Sequence, residues 1–141
     1  MADDLAAANV NRAYQLAASS IAIFTFLLFF LYPRFVSGEV DPLPYQATLI
    51  VMGVATFAFG FASVYYYGGS LGDRIDDAER TRLCHRGDRA WLIGCVLLFL
   101  APTLILVTVK LLAVALVWFG LWLVFVPFVI RNLFSVRTRR D

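Results

Sequence analysis

One stretch of the sequence decides the fold: residues 90–130 read AWLIGCVLLFLAPTLILVTVKLLAVALVWFGLWLVFVPFVI, and Lys110 is their only charged residue. A single α-helix of this length would be about 60 Å long, twice the roughly 30 Å hydrocarbon core of a bilayer. It would also hold Lys110 in mid-membrane, at a cost of roughly 3 kcal/mol. We therefore predict two membrane-spanning helices, at about 90–108 and 111–130, joined by a tight hairpin that places Lys110 at the interface.

The proline in the first half of this stretch allows another arrangement. Pro102 has no backbone N–H to donate, so Ala101 and Pro102 could break the segment into a re-entrant loop. The chain would then cross the membrane an odd number of times, and its basic C-terminal tail would lie outside the cell. We favour four spans with Pro102 as a kink, because cations are enriched on the cytoplasmic side.

Two further apolar stretches lie earlier in the chain, at about 13–32, ended by Pro33, and at about 46–67, ended by Gly68 and Gly69. Each has close to the roughly 20 residues that a membrane-spanning helix needs. The chain is 61% apolar, against about half in ordinary soluble domains, and a soluble fold this small could not bury the excess. The sequence predicts an all-α integral membrane protein, a single domain over 1–141 with four transmembrane helices.

Positive charges divide unequally between the two sides of this topology. Only Arg34 and Lys110 fall on one side. The other ten cations fall on the opposite side, in the N-terminal segment, in residues 68–89 and in the C-terminal tail: Arg12, Arg74, Arg80, Arg82, Arg86, Arg89, Arg131, Arg137, Arg139 and Arg140. The positive-inside rule predicts that both termini and a loop at 68–89 are cytoplasmic. Because eleven of the twelve cations are arginine, a bias of high-GC genomes, we expect a prokaryotic cell membrane.

The segment from Asp73 to Gly87 is rich in charge and predicts a short solvated helix. Asp73 would cap this helix and Gly87 would end it, with ion pairs between Asp76 and Arg80 and between Glu79 and Arg82. The alternative is a metal or phosphate site that uses these acids with Cys84 or His85. The spacing matches no calcium-loop or zinc pattern, so we predict no metal, no cofactor and no catalytic residues.

Small residues form one face of the second helix: Gly53, Thr56, Gly60 and Ser63. Small side chains let helix backbones approach closely, and hydroxyl groups can bond across the contact. We expect this face to pack within the chain against the small residues Ala13, Ala17 and Ser20 of the first helix. The alternatives are a contact between subunits or the lining of a weakly polar pore.

Two tryptophans, Trp118 and Trp122, lie one helical turn apart in the fourth helix. By residue count they are near mid-membrane, although tryptophan favours the interface, and a buried indole N–H needs a partner. Ordinary packing within the bundle is the simplest interpretation. The alternative is that they contact an apolar ligand, a lipid tail or a partner helix.

The predicted spans contain no Asp or Glu, whereas proton-coupled transporters need a buried ionisable group. We therefore expect a non-enzymatic membrane subunit that assembles with itself or docks on a partner membrane protein, in contact with membrane lipids and with no nucleic acid. A small oligomeric channel or uniporter is the first alternative. An intramembrane enzyme acting on a lipid or redox substrate through residues 73–85 is the second.

Overall fold

A computed structural model describes residues 2–71 and 75–137 of the chain, with side chains for residues 8–71 and 75–131. These residues form four helices and no strand: α1 (Ala2–Val36), α2 (Pro42–Gly69), α3 (Asp77–Thr108) and α4 (Leu112–Arg137). Each helix is long and apolar enough to cross a membrane. The predicted all-α class and the four candidate spans are therefore confirmed. The predicted cap Asp73 and the tail cations Arg139 and Arg140 lie outside the described residues.

The connection between α1 and α2 is short, because Pro33 does not end α1 and Pro42 and Pro44 lie inside α2. α1 continues past Pro33 to Val36, and Gly38 makes the turn with a φ of 78°. The carboxylate of Asp41 then accepts a hydrogen bond from the Leu43 N–H at 3.2 Å, and Pro42 opens α2. A proline in the first turn of a helix removes an N–H that has no partner there, so it starts a helix rather than ending one.

α2 and α3 pack along a regular seam. Besides Ala58, the buried positions of α2 recur every three or four residues, as in a coiled coil: Tyr45, Thr48, Met52, Ala55, Phe59, Ala62, Tyr66 and Gly69. The Phe59 ring lies over Gly94 of α3, and the Tyr66 ring lies over Gly87. A Cβ atom added to Gly94 would lie 2.7 Å from the Phe59 ring. The two antiparallel helices are therefore held together by aromatic rings that fill the space a side chain on α3 would occupy.

The prediction that Gly87 ends a helix is wrong. α2 extends to Gly69, and α3 is continuous from Asp77 to Thr108 through Gly87. Glycine weakens an exposed helix interior, but here its missing side chain makes room for the Tyr66 ring. The charged segment and the third apolar stretch are thus parts of one helix.

α1 packs on α2 in two separate clusters, and both include residues of the α2–α3 seam. Ala13 is fully buried against Ala62 and Tyr66, and further along the helix Leu27 and Leu31 pack in the cluster that also holds Tyr45 and Met52. The buried Ser20 hydroxyl donates to the Leu16 carbonyl of its own helix at 2.8 Å. The Ser20 hydroxyl is therefore satisfied within its own helix, as an apolar surrounding requires. The buried Tyr45 hydroxyl of the second cluster, in contrast, has no hydrogen-bond partner among the described residues.

Residues 109–111 separate α3 from α4 without a glycine. Lys110 has a φ of 62°, in the left-handed region, and its N–H donates to the Val107 carbonyl at 3.0 Å. The Leu111 N–H donates to the Leu106 carbonyl at 2.9 Å. These two bonds form a Schellman motif, in which glycine commonly takes the left-handed position that Lys110 takes here.

Candidate functional site

The two tryptophans of α4 have different surroundings. Trp122 is half-buried, and its indole N–H donates to the Val96 carbonyl of α3 at 2.9 Å. Trp118, one turn earlier, is 42% exposed and lies nearer the surface of the molecule. Trp122 therefore ties α4 to α3 through the hydrogen bond that a buried indole needs, while Trp118 keeps a free face.

Both tryptophans line one groove between α3 and α4. The groove has a volume of about 190 Å³ and an almost wholly apolar wall: Phe99, Trp118, Leu121, Trp122 and Phe125. The rings of Phe99 and Phe125 pack with centroids 4.7 Å apart, and the Trp122 N–H is already used by Val96. The groove can therefore accept an apolar group by contact, but its wall has no charge to recognise a polar one.

The two glycines of the small-residue face of α2 are not in tight contact with any of the described residues. Gly53, Thr56, Gly60 and Ser63 are all half-buried, and they lie beside the α2–α3 seam rather than on it. A Cβ atom added to Gly53 or to Gly60 would meet no atom within 4 Å. The Thr56 hydroxyl donates to the Met52 carbonyl of its own helix at 2.9 Å.

The first helix makes its close contacts elsewhere on α2. Ala13, which we expected against the small-residue face, packs on Ala62 and Tyr66. Since the space beside Gly53 and Gly60 is open, the close backbone approach that these glycines permit is not made by α1.

The sequence interpretation missed the packing role of the glycines of α3. Gly87 and Gly94 are seven residues apart, and the small residues Ala101 and Thr108 continue the same spacing. All four are buried. This seven-residue repeat was present in the sequence and is the signal that could have located the seam.

One polar contact closes the seam at the end near the α2–α3 connection. The Tyr66 hydroxyl donates to a carboxylate oxygen of Asp88 at 2.7 Å. Asp88 is exposed, whereas Tyr66 is buried above Gly87. The contact joins α2 to α3 where the apolar packing gives way to the charged part of α3.

The charged part of α3 shows no arrangement for metal binding. Within residues 2–71 and 75–137, no three His, Cys, Asp or Glu side chains are placed to share an ion. Asp76 occupies the N-cap position of α3 but makes no capping hydrogen bond through its side chain. The predicted ion pair between Glu79 and Arg82 is not formed among the described side chains.

Comparisons with models of protein families, with curated proteins and with solved structures find no match for this chain.

Proposed function

We propose that this protein is a non-enzymatic, multi-pass membrane subunit that assembles with a second copy of itself or docks on a partner membrane protein. The observation that supports this most directly is the open face of α2 around Gly53 and Gly60. Helices in lipid associate through close packing of small residues, since lipid tails are as apolar as leucine side chains. A face of small residues whose glycines have no close neighbour among the described residues suits a contact between chains.

The proposal includes a topology. Both termini lie in the cytoplasm, because ten of the twelve cations then face that side. α3 and α4 cross as a tight hairpin, with Lys110 at the opposite interface. The arginine-rich composition favours the cell membrane of a prokaryote.

The weak packing of α4 agrees with a subunit role. In its most apolar window only 6% of the residues are buried, against 28% for α2. In a membrane such a helix contacts lipid or another protein along most of its length. The apolar groove beside Trp118 would then lie near the boundary with lipid or with a partner.

The test is the mass of the protein extracted in native lipid nanodiscs, with any co-purifying chains identified. The double variant Gly53→Ile/Gly60→Ile fills the open face with branched side chains. We expect it to fold as the wild type does but to lose its self-association or its partner. A matched control, Val54→Phe/Phe61→Trp, adds bulk to a neighbouring exposed flank and should leave assembly unchanged.

Four outcomes separate the alternatives. A homo-oligomer that the glycine variant breaks identifies self-assembly, and a stoichiometric partner that it releases identifies docking. A monomeric wild type with no partner in native membranes would refute the proposal. An oligomer that survives the glycine variant would place the contact on another face.

The half-exposed hydroxyl residues on the same face, Thr56 and Ser63, favour a second candidate function. Four helices are few for a pore, so a pore would form between copies, with this face as its lining. Thr56→Leu should then reduce flux through reconstituted liposomes while the oligomer remains intact. If wild-type liposomes conduct no ion or solute under an imposed gradient, the pore is excluded and the subunit role stands.

A further inference from the structure

Three arginines form a stripe along the first half of α3. Arg82, Arg86 and Arg89 are spaced at i, i+4 and i+7, so they lie on one face of the helix, and all three are exposed. The stripe covers about 10 Å along the helix axis at 1.5 Å per residue. Ile93, 52% exposed, continues the same face into the apolar part of α3.

The stripe points away from the helical bundle. The seam that holds α3 to α2 runs along Cys84, Gly87 and Gly94, and it lies on roughly the opposite side of the helix at 100° per residue. No neighbouring helix covers the three guanidinium groups. They therefore face the surroundings of the protein at the point where α3 changes from charged to apolar sequence.

No carboxylate among the described residues forms an ion pair with these three arginines. The acid that lies between Arg86 and Arg89 in the chain is Asp88, which accepts the Tyr66 hydroxyl hydrogen bond on the seam side. Glu79, one turn before Arg82, is exposed and makes no ion pair with it. Three neighbouring cations thus share one surface without an ion pair to any described carboxylate.

We propose that this stripe binds the phosphate groups of anionic phospholipids in the adjacent leaflet. The planar guanidinium group matches phosphate oxygens in a bidentate manner, and basic residues next to a membrane span are attracted to anionic leaflets. The continuation into exposed Ile93 favours a lipid over a soluble acidic partner, because headgroup and acyl chain would contact one continuous face. This lipid site goes beyond the assembly proposed above and does not depend on it.

The experiment is native mass spectrometry of the full chain released from phosphatidylcholine nanodiscs that contain phosphatidylglycerol, with the retained phosphatidylglycerol counted. The variant Arg82→Gln/Arg86→Gln/Arg89→Gln should retain less, with an affinity about five-fold weaker for each arginine removed. The control Arg137→Gln/Arg139→Gln/Arg140→Gln removes the same three charges from the C-terminal tail and should keep the bound lipid. Circular dichroism checks that both variants keep their helices.

A third variant, Arg82→Lys/Arg86→Lys/Arg89→Lys, keeps the charges but removes the bidentate geometry. We expect it to retain lipid better than the glutamine variant and less well than the wild type. If the glutamine variant does not fold, the lysine variant is still compared with the wild type, and equal lipid retention by these two would contradict bidentate recognition. Equal lipid loss from the stripe and the tail variants would overturn the proposal, since it would show diffuse charge attraction. Full lipid retention by a folded glutamine variant, with loss of an acidic protein instead, would also overturn it.

Discussion

α3 packs against two neighbouring helices in two different ways. Toward α2, aromatic rings lie over glycines, as Phe59 does over Gly94, and the contact follows a seven-residue repeat along the helix. Toward α4, the main polar contact is one hydrogen bond from Trp122 to the Val96 carbonyl. α4 is the more apolar of these two neighbours and yet the less buried.

The difference shows that apolar character does not decide what is inside this molecule. Lipid is as good a solvent for leucine and valine as the protein interior is, so burial between helices gains little from hydrophobicity alone. Close approach and shape complementarity supply the contact instead. α2 has rings that fit the gaps in α3, whereas α4 presents bulky side chains on most of its surface: Leu116, Val117, Leu121 and Val124 are all strongly exposed.

The largest expected effect is on the α2–α3 seam. Gly94→Leu would place a side chain where the Phe59 ring lies, and a Cβ atom there is already 2.7 Å from that ring. We expect a loss of about 3 kcal/mol in the free energy of unfolding, because overpacking a close contact forces the helices apart. Unfolding in bicelles would measure it.

The matched control for the seam is Gly53→Leu, the same substitution at a glycine with open space beside it. It should change the stability of the monomer by less than about 0.5 kcal/mol. Equal losses from the two variants would mean that helix propensity, and not the Phe59 contact, sets the effect at Gly94.

A smaller effect is expected at the α3–α4 contact. Trp122→Phe keeps an aromatic ring but removes the N–H that the Val96 carbonyl accepts. We expect a loss of roughly 0.5–1 kcal/mol, because hydrogen bonds between helices in membranes contribute about that much. Crosslinking rates of two introduced cysteine pairs, one across α3–α4 and one across α2–α3, would check this. Trp122→Phe should change the crosslinking rate of the α3–α4 pair only.

Trp118→Phe is the control for that contact, since Trp118 lines the groove without the hydrogen bond to Val96. It should leave the position of α4 unchanged. If Trp118→Phe loosened α4 as much as Trp122→Phe did, ring size in the groove would be the main interaction rather than the hydrogen bond.

The smallest effect is expected at the turn that joins α3 to α4. Lys110 holds a left-handed conformation that disfavours a side chain, so Lys110→Gly relieves strain but gains backbone freedom in the unfolded chain. We expect a net stabilisation of about 0.5 kcal/mol in bicelle unfolding. Lys110→Val, with a branched side chain, should instead destabilise the turn; equal stability of the two variants would contradict the role of the left-handed conformation.

Prediction from the sequence worked for the helices and worked less well for their faces. The break at Lys110 followed from length alone, since no membrane accommodates a straight helix of residues 90–130. The end of a helix at Gly87 was wrong because a glycine in sequence indicates weak helix propensity, whereas the Tyr66 ring that occupies its place is distant in the chain. The structure brings Trp118 and Trp122 to one groove. Only the tertiary contacts show that the Trp122 indole, and not that of Trp118, donates a hydrogen bond to the Val96 carbonyl.

By itself, the sequence determined that this chain has four long apolar helices, because a backbone in lipid must satisfy its own hydrogen bonds. It also places ten of the twelve cations in the N-terminal segment, in residues 68–89 and in the segment that follows the last apolar stretch. Only the tertiary structure decided which glycines meet a neighbour: Gly87 and Gly94 do, while Gly53 and Gly60 remain open. The physical reason is that a missing side chain permits close approach without specifying the partner, and the partner is chosen by whichever ring or backbone fits the gap.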